Sequence, residues 1–282
     1  MWALPAWFGR QLPERAARRG SLAAYATWCT AVEGNTTFYA VPSAAAVASW
    51  AAQAPAGFRF VAKLPRTVTH EARLRPDRAG PDTRRLLDAL APLGERVATI
   101  VAQLPASFGP ADLPVLARYG RRLPRDVPNR WAVEVRHPAF FDGSPAGAAL
   151  EDLLGDLGLE WIPFDTTTLF ATPPRTEAER VAWGDKPRLP RRLRALTDRP
   201  VVRYLGRDDP AATEAGWAPW PAVVAGWLRE GREPTFFVHT PDNVDALVLA
   251  RRFHAAVAEL VPDLDPLPEP PAPDAGAPET LF

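Results

Sequence analysis

The sequence predicts one α/β domain folded as a (β/α)₈ barrel of the TIM type, and three observations carry that prediction. Short β-branched or aromatic runs alternate with Ala- and Leu-rich helical stretches, the signature of parallel βαβ units. The runs begin on average about 34 residues apart, the size of one such unit. Polar or charged side chains end almost every run, at the strand termini where the active sites of such barrels lie. A chain of 282 residues also suits one large barrel.

Taken in order, the first strand is the weakest element. It should lie in Met1–Phe8, yet that segment offers only Met-Trp-Ala-Leu before Pro5. The first strand is therefore either very short or missing at the N-terminus, upstream of Met1. Seven runs follow: Ala31–Gly34, Phe58–Lys63, Val97–Gln103, Trp131–Arg136, Glu160–Phe164, Val201–Leu205 and Thr235–His239. Helices are predicted between them near 43–53, 82–92, 111–119, 146–157, 213–229 and 242–259. The barrel is assigned to residues 1–261. Residues 262–282 carry seven prolines between Pro262 and Pro278, with acidic residues and little apolar content. They are assigned as a Pro-rich disordered tail ending in the apolar pair Leu281-Phe282.

Composition excludes several function classes. Apolar residues at 47% and charged residues at 23% are ordinary for a globular protein. Thirty-three basic and thirty-three acidic side chains cancel, so no global field favours nucleic acid or an anionic membrane. The lone Cys29 cannot form an intramolecular disulfide and reads as a core thiol. With no secretory segment and no long apolar run, a cytoplasmic protein is expected. Positive charge is almost all Arg, with only Lys63 and Lys186 as lysines; with heavy Ala and Pro use, this points to a GC-rich bacterial genome. A lysine that survives such a bias can mark a position needing a compact, tunable amine.

The strand ends supply the candidate site. Glu33 and Asn35 close the first visible run, Lys63 the second and Gln103 the third. Glu134 and Arg136 lie on the fourth, Asp165 follows the fifth, Arg203 lies on the sixth, and His239 ends the seventh with Asn243 beyond it. Residues two apart share a strand face, so Glu33 pairs with Asn35 and Glu134 with Arg136, while Val32, Val133 and Val135 turn toward the helices. Glu33, Glu134 and Asp165 are candidate general acids and bases whose neighbours push their pKa values apart. Lys63 is a candidate electrostatic clamp or, if desolvated, a Schiff-base amine, and His70 a proton shuttle. Arg136 and Arg203 suit a phosphate or carboxylate; Asn35, Tyr39, Gln103, His239 and Asn243 complete the expected substrate contacts. No metal-binding or nucleotide-binding motif is present, and Arg and Lys in one mouth repel a divalent ion, so no metal and no cofactor are expected.

These residues lie in segments that resemble one family. VEGNTTFYAVPS (32–43), FRFVAKLPRTVTHEARL (58–74), QLPASFG (103–109), AVEVRHPAFF (132–141), DTTTLF (165–170), VVRYLG (201–206) and FVHTPDN (237–243) are similar, in order, to domain of unknown function 72, the YecE-like proteins. The resemblance implies a TIM barrel and leaves the reaction open. It also aligns Met1-Trp2 inside the family's opening strand, and it places His239 where many relatives carry a Phe/Tyr-x-Asn-Asp ending. Pro278–Phe282 faintly resembles the Gln-Leu-x-Leu-Phe peptides of bacterial DNA-clamp partners, without the leading Gln.

Three readings stay open. The first is an enzyme, a hydrolase or lyase, acting on a small polar or anionic molecule through the strand-end carboxylates. The second is a DNA-associated phosphodiesterase or repair accessory recruited by clamp-type docking of Leu281-Phe282. The third is a ligand-binding barrel without catalysis.

Overall fold

The computed structural model describes residues 2–17, 20–125, 127 and 130–270. Every strand pairing in it is parallel, as the alternation of runs and helices requires. Strands β1 (Ala31–Gly34), β2 (Arg59–Lys63), β3 (Val97–Gln103), β4 (Arg130–Glu134) and β5 (Glu160–Trp161) form one sheet in that order. Strands β6 (Phe164–Asp165), β7 (Val201–Leu205) and β8 (Thr235–His239) form the second.

The two sheets meet in a single pass of chain. The predicted run Glu160–Phe164 is split into β5 and β6 at Ile162-Pro163, because Pro163 has no N–H to give a ladder. Hydrogen bonds nonetheless continue through the break, from Ile162 N to Val133 O at 2.9 Å and from Arg203 N to Pro163 O at 2.9 Å. β1 and β8 come close without exchanging ladder hydrogen bonds. Among the described residues no strand precedes Ala31; Pro5–Trp7 is a 3₁₀ turn, and Phe8 makes an isolated bridge to Leu12.

Helices α1 (Ser21–Tyr25), α2 (Thr36–Tyr39), α3 (Ala44–Gln53), α4 (Pro76–Leu90), α5 (Leu113–Gly120), α6 (Pro145–Leu157), α7 (Glu177–Asp185), α8 (Pro210–Gly216), α9 (Trp220–Arg229) and α10 (Ala246–Ala258) fill the connections. Side-chain caps start several of them: Ser43 accepts from Ala46 N, Ser144 from Ala146 N, and Asp209 from Ala211 N. Each cap of this kind contributes about 1 kcal/mol. The single helix expected over 213–229 is two, because Pro219 has no N–H to continue α8, while Pro221 falls in the first turn of α9, where no N–H is needed. α4 begins earlier than expected and runs through Pro81. α7 answers no helical segment expected from the sequence.

The period-2 alternation of the strands separates two environments. Val32, Phe60, Ala62, Ile100, Ala102 and Val133 face the helices in the largest apolar cluster. Val61, Val101, Ala132, Ile162, Val201 and Phe237, one from each of six chain passes with Ala31 against them, gather on the other face. Trp217, Trp220 and Trp227 pack into a third cluster with Tyr204 and Phe253, so these tryptophans are structural. No helix among the described residues is long and apolar enough to cross a membrane.

Residues 262–270 carry no regular structure, but they are tied to the body. Leu264 packs on the tryptophan cluster, and Pro268 O accepts a hydrogen bond from Arg251 Nη1 at 2.8 Å. Leu281 and Phe282 lie outside the described residues.

Candidate functional site

Two residues beyond each member of the small apolar layer, on the same strand face, stands the candidate site. Ala31 is followed by Glu33, Val61 by Lys63, Val101 by Gln103, Ala132 by Glu134, Val201 by Arg203 and Phe237 by His239. Parallel register sets Gln103 opposite Glu134 and staggers the other ends by two residues, with Glu33 beside Val61, Lys63 beside Val101 and Arg203 beside Phe237. The apolar layer is the floor and the polar layer rests on it. In the pass through β5 and β6, Ile162 is followed by Phe164, the one apolar member of the upper layer.

The polar layer is one connected ionic network. Arg203 Nη1 donates to Glu134 Oε2 at 2.6 Å, and its Nε lies 2.7 Å from Glu33 Oε1. Arg136 holds Glu134 Oε1 from the other side, through Nε at 2.8 Å and Nη2 at 2.6 Å. Lys63 Nζ donates to Gln103 Oε1 at 2.8 Å and sits 3.4 Å from Glu33 Oε1. His239 Nε2 is 3.7 Å from Glu33 Oε2, is buried, and has no hydrogen-bond partner. Phe164 supplies a π face to the cations, with Arg203 Cζ 4.6 Å and Arg136 Cζ 5.6 Å from its ring centre. Thr37 locks the backbone of the lysine: its hydroxyl donates to Lys63 O at 2.8 Å and accepts from Lys63 N at 2.9 Å.

Burial makes this network unusual. Glu33, Lys63 and Glu134 are 2%, 4% and 0% exposed. Desolvation is the largest single influence and would raise both carboxyls, but the surrounding cations together outweigh it, Arg203 first at both, then Lys63 at Glu33 and Arg136 at Glu134. Glu33 is held well below the carboxylate range and Glu134 is brought to about 2. The sequence suggested that the pKa values of Glu33, Glu134 and Asp165 diverge; at Glu33 and Glu134, sharing Arg203 pulls both the same way, so both stay ionised at neutral pH. The groups poised to exchange protons are the two bases. Burial, with the Arg203 charge adding to it, lowers Lys63 to about 8 against the pull of Glu33 and Glu134. Burial lowers His239 to about 4, so its imidazole is neutral at pH 7.

The remaining expected residues divide. Arg136 lies just past the end of β4, which stops two residues earlier than expected, and is the most exposed cation of the network at 21% of its side chain. Asn35 and Asn243 border a cavity that also reaches Glu33 and His239. Asn243 holds left-handed backbone at φ 58°, and its carbonyl accepts from Trp7 Nε1 at 2.9 Å. His70 sits in a π-type turn, Thr67–Glu71, where Thr69 Oγ1 meets its Nδ1 at 2.9 Å and Phe38 packs edge-on at 5.2 Å. Partial burial and the nearby Arg66, Arg136 and Arg73 lower its pKa, as suits a rim position.

Two expectations are corrected. Tyr39, an expected substrate contact, is 81% exposed on the short helix α2 and is turned to solvent; among the described residues its ring meets only Phe38, edge-on. Asp165 is turned the other way by the strand's alternation, since Phe164 takes the inner face. Its Oδ2 accepts from Arg191 Nε at 2.6 Å and Trp220 Nε1 at 2.8 Å, and its Oδ1 from Thr167 Oγ1 at 2.6 Å. It is a buried structural carboxylate. Phe164 and Thr37 are the site residues that sequence reasoning missed. Strict alternation from Ile162 would have found Phe164; nothing local marks Thr37. Among the described residues no group of three or more His, Cys, Asp or Glu side chains could hold a metal ion.

Comparison with known proteins follows the same outline. The family model described as "Protein of unknown function DUF72" matches residues 1–274. The chain is 32% identical over 267 residues to the UPF0759 protein YecE of Escherichia coli strain K12, covering 95% of this chain and 94% of that protein. The YecE of Escherichia coli O157:H7 matches equally well, at 32% over 267 residues. Among solved structures, a DUF72 family protein from Thermotoga maritima MSB8 superposes with a TM-score of 0.63 at 21% identity, covering 90% of this chain and 95% of that one. A DUF72 family protein from Enterococcus faecalis V583 gives 0.64 at 18% identity over 86% of this chain and 94% of that one.

Proposed function

The chain belongs to the DUF72 family, and we propose that it is an enzyme, a lyase that works through the Lys63 amine on a small anionic carbonyl compound. The observation that carries this reading is the setting of Lys63: a desolvated amine, brought to about 8, inside a fixed frame of opposite charges. Such an amine is neutral often enough near pH 8 to attack a carbonyl carbon, as buried catalytic lysines do.

The seven chain passes are read as the wall of a TIM-type barrel whose mouth is the polar layer. The ordered parallel neighbours, the apolar floor drawn from successive passes and the position of the site at the strand ends support that reading. Arg136 and Arg203 balance the carboxylates of Glu33 and Glu134, so Lys63, when protonated or bound as the cationic imine, leaves one positive charge for a substrate carboxylate or phosphate. Arg136, as the exposed cation, is the first to meet it.

In the proposed step the Lys63 nitrogen bonds to the carbonyl carbon, the carbonyl oxygen takes up protons, and water leaves as the imine forms. Neutral His239, with a free Nε2 beside the amine's partner Glu33, is the group placed to relay a proton. Glu33 and Glu134 remain carboxylates throughout and stabilise the cationic imine electrostatically.

The test is reductive trapping. Incubation with pyruvate or glyoxylate and borohydride should add the mass of the reduced imine to the peptide containing Lys63 and not to that containing Lys186, and Lys63→Arg should abolish it. Labelling of Lys186 alone, or no labelling by either compound, would overturn the amine mechanism.

A further inference from the structure

The chain has two lysines, and the proposed chemistry uses only Lys63. Lys186 follows α7 directly, and the segment from it to Arg191 is fastened across the end of β6. Thr166 Oγ1 donates to Pro187 O at 2.9 Å and accepts from Leu189 N at 3.0 Å. Arg191 donates from Nε to Asp165 Oδ2 at 2.6 Å and from Nη2 to Thr167 Oγ1 at 2.9 Å. Arg188 clamps the same segment, its Cζ 4.7 Å from the Phe170 ring centre and 4.8 Å from that of Trp183. Asp165 and Thr166, neither a member of the polar layer, thus hold this backbone at the strand end where Phe164 carries Arg136 and Arg203.

We infer that Lys186 and the outward edge of Arg136 form a subsite at the mouth for the dianion of a phosphate monoester. On the amine reading of Lys63, on which this further step rests, the carbonyl substrate then carries that phosphate. Three observations carry the subsite. Arg136 commits Nε and Nη2 to Glu134 Oε1, and among the described residues its Nη1 has no partner, which leaves one edge of the guanidinium for a ligand. Lys186 is exposed and, among the described residues, forms no ion pair and no side-chain hydrogen bond. Apart from its neighbour Asp185, the charges that act on it belong to the network: partial burial lowers its pKa first, Arg136 and Arg203 lower it further, and Glu134 opposes them. An ammonium and a guanidinium that oppose each other in this way are both relieved by an anion held between them.

The charge balance selects the dianion. Arg136 and Arg203 are matched by Glu33 and Glu134, so Lys186 adds a second unmatched positive charge to that of Lys63. A phosphate monoester answers both, whereas a carboxylate answers one. A lysine point charge beside an arginine fork also suits phosphate oxygens.

Inorganic phosphate is the first probe, with the 282-residue chain at pH 8. It should move the ¹³Cε resonance of Lys186 saturably, at concentrations where chloride does not. By calorimetry, Lys186→Gln should weaken phosphate about tenfold, while Arg252→Gln, at an exposed position on α10, should not. Methyl phosphate, a dianion, should displace the bound phosphate, and dimethyl phosphate, the monoanionic diester of a nucleic-acid backbone, should not. In borohydride capture, glycolaldehyde phosphate should label Lys63 half-maximally at about tenfold lower concentration than glycolaldehyde, and Lys186→Gln should erase the difference. No saturable shift, equal displacement by dimethyl phosphate, undiminished affinity in Lys186→Gln, or equal capture of the two aldehydes by the parent would overturn the subsite. Phosphate binding is read without a carbonyl, so the two readings separate. Binding that depends on Lys186 without any capture at Lys63 upholds the subsite and removes the amine chemistry; capture of pyruvate without phosphate binding does the reverse.

Discussion

Arg203 and Glu134, 69 residues apart in the chain, meet at 2.6 Å in the interior, and the same guanidinium reaches Glu33. This cation is the strongest of the charges that keep two carboxylates on different strands ionised, and the behaviour of the site follows from it.

Replacing Arg203 by Met keeps an unbranched apolar stem and removes the charge. Glu33 and Glu134 would then be buried with fewer partners, a situation that costs about 3–5 kcal/mol. Urea unfolding should show that loss. A variant as stable as the parent would mean that the network is worth no more than the apolar packing replacing it.

The acid limb of stability carries the same signature. Both carboxyls titrate lower in the folded chain than their ordinary value, so their contribution is fully present above about pH 4.5 and is lost as pH falls through about 2. In Arg203→Met the loss should begin at higher pH, moving the acid-unfolding midpoint upward. An unshifted midpoint would show that other groups control acid unfolding.

Glu134→Gln should reduce both imine capture and stability. The carboxylate is held by two guanidiniums, and a neutral amide leaves both partly unmatched, at a cost of about 3 kcal/mol. Calorimetry showing an unchanged melting temperature would contradict the structural half of this role.

Asp165→Asn separates the structural carboxylate from the site. Hydrogen bonds to a charged acceptor are worth about 1.5–3 kcal/mol each, so the variant should lose about that much stability and alter Trp220 fluorescence. Borohydride capture at Lys63 should be unaffected when the protein is folded. Loss of capture in the folded variant would return Asp165 to the chemistry.

Much of this was legible in the sequence. The strand runs, the strand-end positions of Glu33, Lys63, Gln103, Glu134, Arg203 and His239, and their shared face all follow from the period of two. What was not legible depends on distant chain segments. Asp165 reads like the other strand-end acids, and only the fold brings Arg191 and Trp220 to it. Tyr39 follows Glu33 closely in sequence, but the short helix α2 turns it to solvent. The pKa roles of the carboxyls and the lysine could not be assigned either, because they depend on which cation sits between them. The split at Pro163 was visible as a proline, but β5 and β6 serve different sheets only because their neighbours do.

The central claim is the lowered pKa of Lys63, and it can be measured without knowing the substrate. The chain has two lysines, Lys63 and Lys186, so ¹³Cε labelling gives two resonances, assigned with Lys186→Arg. The account predicts that the Lys63 resonance titrates with a midpoint near 8. A midpoint at or above 10 would mean a permanently charged lysine at neutral pH, and would contradict amine catalysis at this site.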